Sequence, residues 1–169
     1  MLDPEIGLTD DVPKPINLGD WLAGEYGKYI KTAKSGEVTS IKENAFYGSP
    51  TTEVDFPNAT SVGKNAFRNC KISKLNLPNV TTIVTQGLDA VFSCDVILPS
   101  VKVINYDYAV GSSPKVILPE LTSLKSVATH LRDVKEYVIG GELSTCGYAN
   151  FTGNVEIIDA KKCSVPLGG

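Results

Sequence analysis

Val54-Asp-Phe-Pro57-Asn-Ala-Thr-Ser-Val62 is repeated as Leu75-Asn-Leu-Pro78-Asn-Val-Thr-Thr-Ile83, as Val96-Ile-Leu-Pro99-Ser-Val-Lys-Val-Ile104 and as Val116-Ile-Leu-Pro119-Glu-Leu-Thr-Ser-Leu124. The four prolines are 21, 21 and 20 residues apart, and Ile41, Val62, Ile83, Ile104 and Leu124 keep spacings of 21, 21, 21 and 20. A unit this short cannot bury an apolar face by itself, so the fixed period predicts a solenoid of stacked coils sharing one continuous core.

Within each unit, apolar residues two apart open the phrase: Val54 and Phe56, Leu75 and Leu77, Val96 and Leu98, Val116 and Leu118, then Tyr137 and Ile139. That alternation predicts a strand with one buried face, and the stacking of one such strand per coil predicts a parallel sheet. Proline follows four of the five strands; lacking an N–H to donate to a ladder, it belongs where pairing ends. A further apolar residue, Val62 or Ile83, turns back inward five positions later. Then comes Ala45-Phe46 or Ala66-Phe67, a small residue at the bend and an aromatic ring filling the far end of the coil. Gly87-Leu88, assisted by Phe92, and then Tyr108-Ala109-Val110 and Phe151 take that role further along.

The open ends of such a stack need caps. Leu18, Trp21, Leu22, Tyr26, Tyr29 and Ile30 fall near helical spacing between Leu18 and Ala33, predicting an N-terminal capping helix with Asn17 or Asp20 at its start. The expected organisation is a leader and capping helix over 1–34, the solenoid over 35–165 and a tail over 166–169.

The chain has 169 residues, 42% hydrophobic content and a formal net charge of -3. This suits one domain with a core, and offers no broad positive field for nucleic acid. No run approaches the ~18 consecutive apolar residues needed to span a bilayer, so no membrane insertion is expected. The start Met1-Leu-Asp-Pro-Glu has no signal-peptide character. An extracellular or cell-surface location therefore requires that a signal peptide has been removed; a virion or cytoplasmic location is the alternative. Cys70, Cys94, Cys146 and Cys163 form no C-x-x-C pair and His130 is the only histidine, so neither a metal site nor a cofactor is expected. The cysteines read as small buried side chains, Cys146 in the row of Ile104 and Leu124. A Cys146–Cys163 disulfide is the alternative.

The residue between the two inward positions of each strand points outward. That row runs Asp55, Asn76, Ile97, Ile117, Val138 and Glu156, and its three successive β-branched apolar members form an exposed ridge, the candidate binding face. Coverage by a loop of the same chain, or the mutual stacking of β-branched residues, is the competing account. Just before each strand, Glu53, Lys74, Asp95, Lys115 and Glu136 alternate in sign, an order that favours this register over a slipped one. No nucleophile elbow or phosphate loop is present, so no catalytic residues are expected. Asn58-Ala-Thr60, Asn79-Val-Thr81 and Asn150-Phe-Thr152 match the glycosylation sequon, two of them as by-products of the repeated phrase.

Val62-Gly-Lys-Asn-Ala-Phe67-Arg-Asn-Cys70 followed by Leu75-Asn-Leu-Pro78 resembles the BspA-like leucine-rich repeats of bacterial surface and phage-associated proteins. The resemblance covers about residues 38 to 165, and its Ala-Phe signature decays from Gly87 onward. It implies a leucine-rich-repeat solenoid and a non-enzymatic recognition or adhesion module that binds a protein or cell-surface ligand. A homo-oligomer is a further expectation. The lead-in Leu18-Gly-Asp-Trp-Leu-Ala-Gly24 also looks like short proteins of this type among phage structural genes, which implies the alternative of a tail or head fibre component.

Overall fold

The computed structural model describes residues 29–104, 109–124, 134–140, 145–146 and 154–157. They form a solenoid whose strands pair only in parallel, each with its counterpart one repeat away.

The first side of the stack carries the strands that open the repeated phrase: β1 (Thr32–Lys34), β3 (Glu53–Asp55), β6 (Lys74–Asn76), β9 (Val96–Ile97), β11 (Ser113–Leu118), β13 (Val134–Ile139) and β15 (Asn154–Ile157). A second side carries β2 (Ser40–Ile41), β4 (Ser61–Val62), β7 (Thr82–Ile83), β10 (Val103–Ile104), β12 (Ser123–Leu124) and β14 (Thr145–Cys146), four of them entered after a proline turn. The third side holds the Ala-Phe turns and one short pair, β5 (Lys71–Ile72) with β8 (Val91–Phe92). We number the successive rungs by their first-side strand, so β1 opens rung 1 and β15 opens rung 7.

The inward rows are the ones the alternation predicts. Val54, Phe56, Leu77, Val96, Leu98, Val116, Leu118, Tyr137 and Ile139 are essentially inaccessible, as are Ile41, Val62, Ile83 and Ile104 on the second side. At the far end of the coil, Phe46 and Phe67 stack in parallel with ring centroids 4.9 Å apart, and Phe56 packs on Phe46 at 5.9 Å. Leu88 and Val110 continue that column, bridged to one another. Cys70 is buried, its thiol donating to the Phe46 carbonyl at 2.9 Å, and burial pushes its pKa up. Cys94 is half-buried and Cys146 pairs in register with Leu124, which pairs in turn with Ile104. Cys163, and with it the proposed disulfide, lies outside the described residues, as do His130 and Phe151.

The bend at each Ala-Phe pair has a cause beyond the small residue. Asn44, Asn65 and Gln86, spaced by the repeat, have φ of 57°, 54° and 59°. Gly48 and Asn69, both at φ 64°, close the same turn in the first two units. Left-handed backbone at both ends reverses the chain, and Asn and Gly tolerate that conformation best.

Side-chain ladders hold the turns together. Asn58 donates to the Gly36 carbonyl (2.6 Å), Asn79 to Pro57 (2.8 Å) and Ser100 to Pro78 (2.7 Å). Thr60 and Thr81 donate likewise to Thr39 and Thr60. The two repeated sequons thus owe their Asn to a turn carbonyl one repeat earlier, and their Thr to a second bond on a carbonyl that the backbone already engages.

At the N-terminal end, β1 pairs with β3 through Ala33 and Val54. This strand falls inside the segment assigned to the capping helix, whose stretch to Ala33 is corrected accordingly: Thr32–Lys34 belongs to the ladder because Ala33 fills the inward row. Ile30 is buried and Tyr29 exposed. Leu18, Trp21, Leu22 and Tyr26, with the rest of the proposed helix and the tail at 166–169, lie outside the described residues.

Candidate functional site

The outward row of the first side resolves into two halves. In the lower half Asp55 and Asn76 are paired residues of adjacent strands, and the Asn76 amide donates to the Asp55 carboxylate at 2.7 Å. In the upper half Ile97, Ile117, Val138 and Glu156 are paired in one register through β9, β11, β13 and β15. Ile97 is 49% exposed, while Ile117 and Val138 are half-buried, so the ridge is most open at its lower end.

Charged side chains run beside this row. Lys34 and Lys74 both reach Glu53, at 3.3 and 3.0 Å, and these two ammonium groups hold its carboxyl below the usual range, Lys74 most strongly. In the upper half Lys115 meets Glu136 at 2.7 Å. The alternation of sign is therefore used for rung-to-rung pairing within each half. Polar groups of the lower half satisfy one another, whereas Ile97, Ile117 and Val138 present only hydrocarbon. The apolar side chains of this row thus lie in the upper half, with ion pairs beside both halves.

The two halves are not joined by a ladder. β1, β3 and β6 form one sheet and β9, β11, β13 and β15 another; on the second side β2, β4 and β7 are likewise separate from β10, β12 and β14. The row is thus interrupted between Asn76 and Ile97. Leu75, the inward residue at that point, is half-buried although its row mates Val54, Val96, Val116 and Tyr137 are sealed.

Sequence reasoning did not single out Val91, which is exposed on the third side in register with Lys71. It lies in the stretch where the Ala-Phe signature has decayed, so no repeated phrase flags it. Among the described residues no three His, Cys, Asp or Glu side chains gather as a metal-binding group, and no helix is long and apolar enough to cross a membrane.

No curated protein and no solved structure matches the chain. A family model does, in six copies over residues 28–113, just over half of the sequence, and the strand register carries the same stacking on to Ile157. The period, the parallel ladders and this match make the chain a member of the BspA type leucine-rich repeat family.

Proposed function

We propose that this protein is a non-enzymatic recognition or adhesion module that binds a protein or cell-surface ligand on the outer face of its first side. The observation that carries this reading is the register of Ile97, Ile117 and Val138 on successive strands with Ile97 about half open to solvent. A sheet face covered only by water ordinarily carries polar side chains, as Asp55 and Asn76 do in the lower half. Repeat scaffolds use such extended faces for partner binding, with a few apolar anchors supplying most of the affinity.

A photo-crosslinking residue placed at Ile97 should trap the partner, and one at Lys71 on the third side should not. With the trapped species purified, Ile97→Lys, Ile117→Lys and Val138→Lys combined should weaken its binding by at least about thirtyfold while the thermal melt stays cooperative. Unchanged affinity would remove the ridge from the site. Sedimentation of the protein alone decides whether the trapped species is a second copy of the chain.

A further inference from the structure

We propose that the junction between rungs 3 and 4 is a hinge, closed along the third side and open along the other two. Three series of backbone bonds repeat through the stack, and all three lack the same member. Ser35, Phe56 and Leu98 donate their N–H to the carbonyls of Asp55, Asn76 and Ile117, at 3.0, 3.1 and 3.0 Å; Leu77, which stands between Phe56 and Leu98, makes no such bond to Ile97. Thr60 donates to Thr39, Thr81 to Thr60 and Thr122 to Lys102, but Lys102 does not donate to Thr81. Glu53 donates to Lys31 and Lys74 to Thr52, yet Asp95 does not donate to Ser73. Residues 74–104 are all among those described.

On the third side the same two rungs are firmly bonded. Leu88 donates to Ala109 at 3.0 Å, Gly111 to Leu88 at 2.7 Å and Phe92 to Ser112 at 2.8 Å, and Leu88 and Val110 form a bridge. The backbones touch there: a Cβ on Gly111 would sit 2.1 Å from the Ala90 carbonyl oxygen. Leu88 also replaces the phenylalanine of the two preceding units, removing ring volume from the far end of the core. Backbone contact along the third side, against two sides whose named strands form no ladder, is the arrangement of a hinge. Across its open edge the Ser100 hydroxyl still donates to the Pro78 carbonyl at 2.7 Å.

Each ladder bond elsewhere in the stack resists separation of its rungs; at this junction, among the described residues, side-chain packing, the Ser100 hydroxyl and the Cys94 thiol against the Leu75 backbone do so on two sides. Opening there changes the angle between Asp55–Asn76 and Ile97–Ile117–Val138 without breaking any ladder. The hinge stands on these bonds alone, whether or not the ridge binds a partner.

Residue-resolved hydrogen exchange on the whole protein tests it. Leu77, Asp95 and Lys102 amides should exchange at least about tenfold faster than their repeat counterparts Phe56, Lys74 and Thr81. Equal protection overturns the proposal. A second arm separates a moving junction from a fixed gap: Asn76→Cys with Ile97→Cys places thiols on facing strands, which a closing hinge brings into the ~4.4–6.8 Å Cα range of a disulfide. Oxidation should slow exchange at Leu77 and Asp95 at least about tenfold, reduction should restore it, and Phe56 and Leu98 should not change. A pair that does not oxidise, or that oxidises without slowing exchange, overturns the hinge.

Discussion

Asn65 concentrates the demands of one residue of this repeat. It holds φ at 54°, its amide nitrogen donates to Asn44 Oδ1 at 3.2 Å, and its backbone N–H donates to the Thr85 carbonyl. A Cβ-bearing residue without a local hydrogen bond pays roughly 1–2 kcal/mol in the left-handed region, and glycine does not. Asn65→Ala and Asn65→Gly lose the same side-chain bond, so their difference isolates the backbone. The glycine variant should be the more stable of the two by about 1 kcal/mol, read from urea midpoints at equal slope. Equal midpoints would mean that the turn relaxes out of the left-handed region. Asn at 44 and 65 with Gln at 86 is visible in the sequence as part of the Ala-Phe signature, but its reason is conformational and no hydropathy pattern expresses it.

At the scale of the strand, the ion pairs distinguish what was legible from what was not. The alternation Glu53, Lys74, Asp95, Lys115, Glu136 implies a charged pair at every rung, and the structure has Lys74 on Glu53 and Lys115 on Glu136. The strands and their inward rows could be read because alternate burial writes itself into residue type. The interruption after β6 could not, because Leu75-Asn-Leu-Pro78 and Val96-Ile-Leu-Pro99 obey the same phrase on both sides of it. Its visible traces, Leu88 in place of phenylalanine and Gly111 against Ala90, lie on another side of the coil. The candidate ridge was legible in position but not in degree: Ile97 faces the interruption and is the most open, whereas Ile117 and Val138 have strands on both flanks. Glu53 offers a test of the pairing. Lys74 and Lys34 lower its pKa below the ordinary glutamate value, so the stabilisation is present above the unfolded-state value and is lost as pH falls through the lower folded-state value. Lys74→Glu should therefore lower the melting temperature near neutral pH at low salt, and the deficit should shrink both on acidification through that window and on adding salt. A melting temperature that does not move at neutral pH would show that Glu53 gains nothing from this neighbour.

For the whole molecule, a solenoid's stability is close to a sum over rungs and the interfaces between them, so cooperativity is only as strong as the weakest interface. Among the described residues that interface is the one between rungs 3 and 4, where the named strands of two of the three sides form no ladder. Phe67 lies below it, sealed in the core and stacked on Phe46 at 4.9 Å. Replacing it with alanine leaves a cavity and should cost about 3–5 kcal/mol locally. In a fully cooperative stack that loss would lower protection everywhere equally. Here it should appear chiefly in the lower rungs: with Phe67→Ala, the amides of Val54, Phe56 and Ile72 should lose far more protection than those of Val116, Leu118 and Tyr137. Hydrogen exchange at low denaturant separates the two outcomes, and uniform loss across both sets would mean that the third side alone transmits cooperativity through the junction. The lower half then behaves as a unit able to open while β11 and β13 keep Ile117 and Val138 in register, so the apolar ridge survives damage to the rungs that carry its polar neighbours.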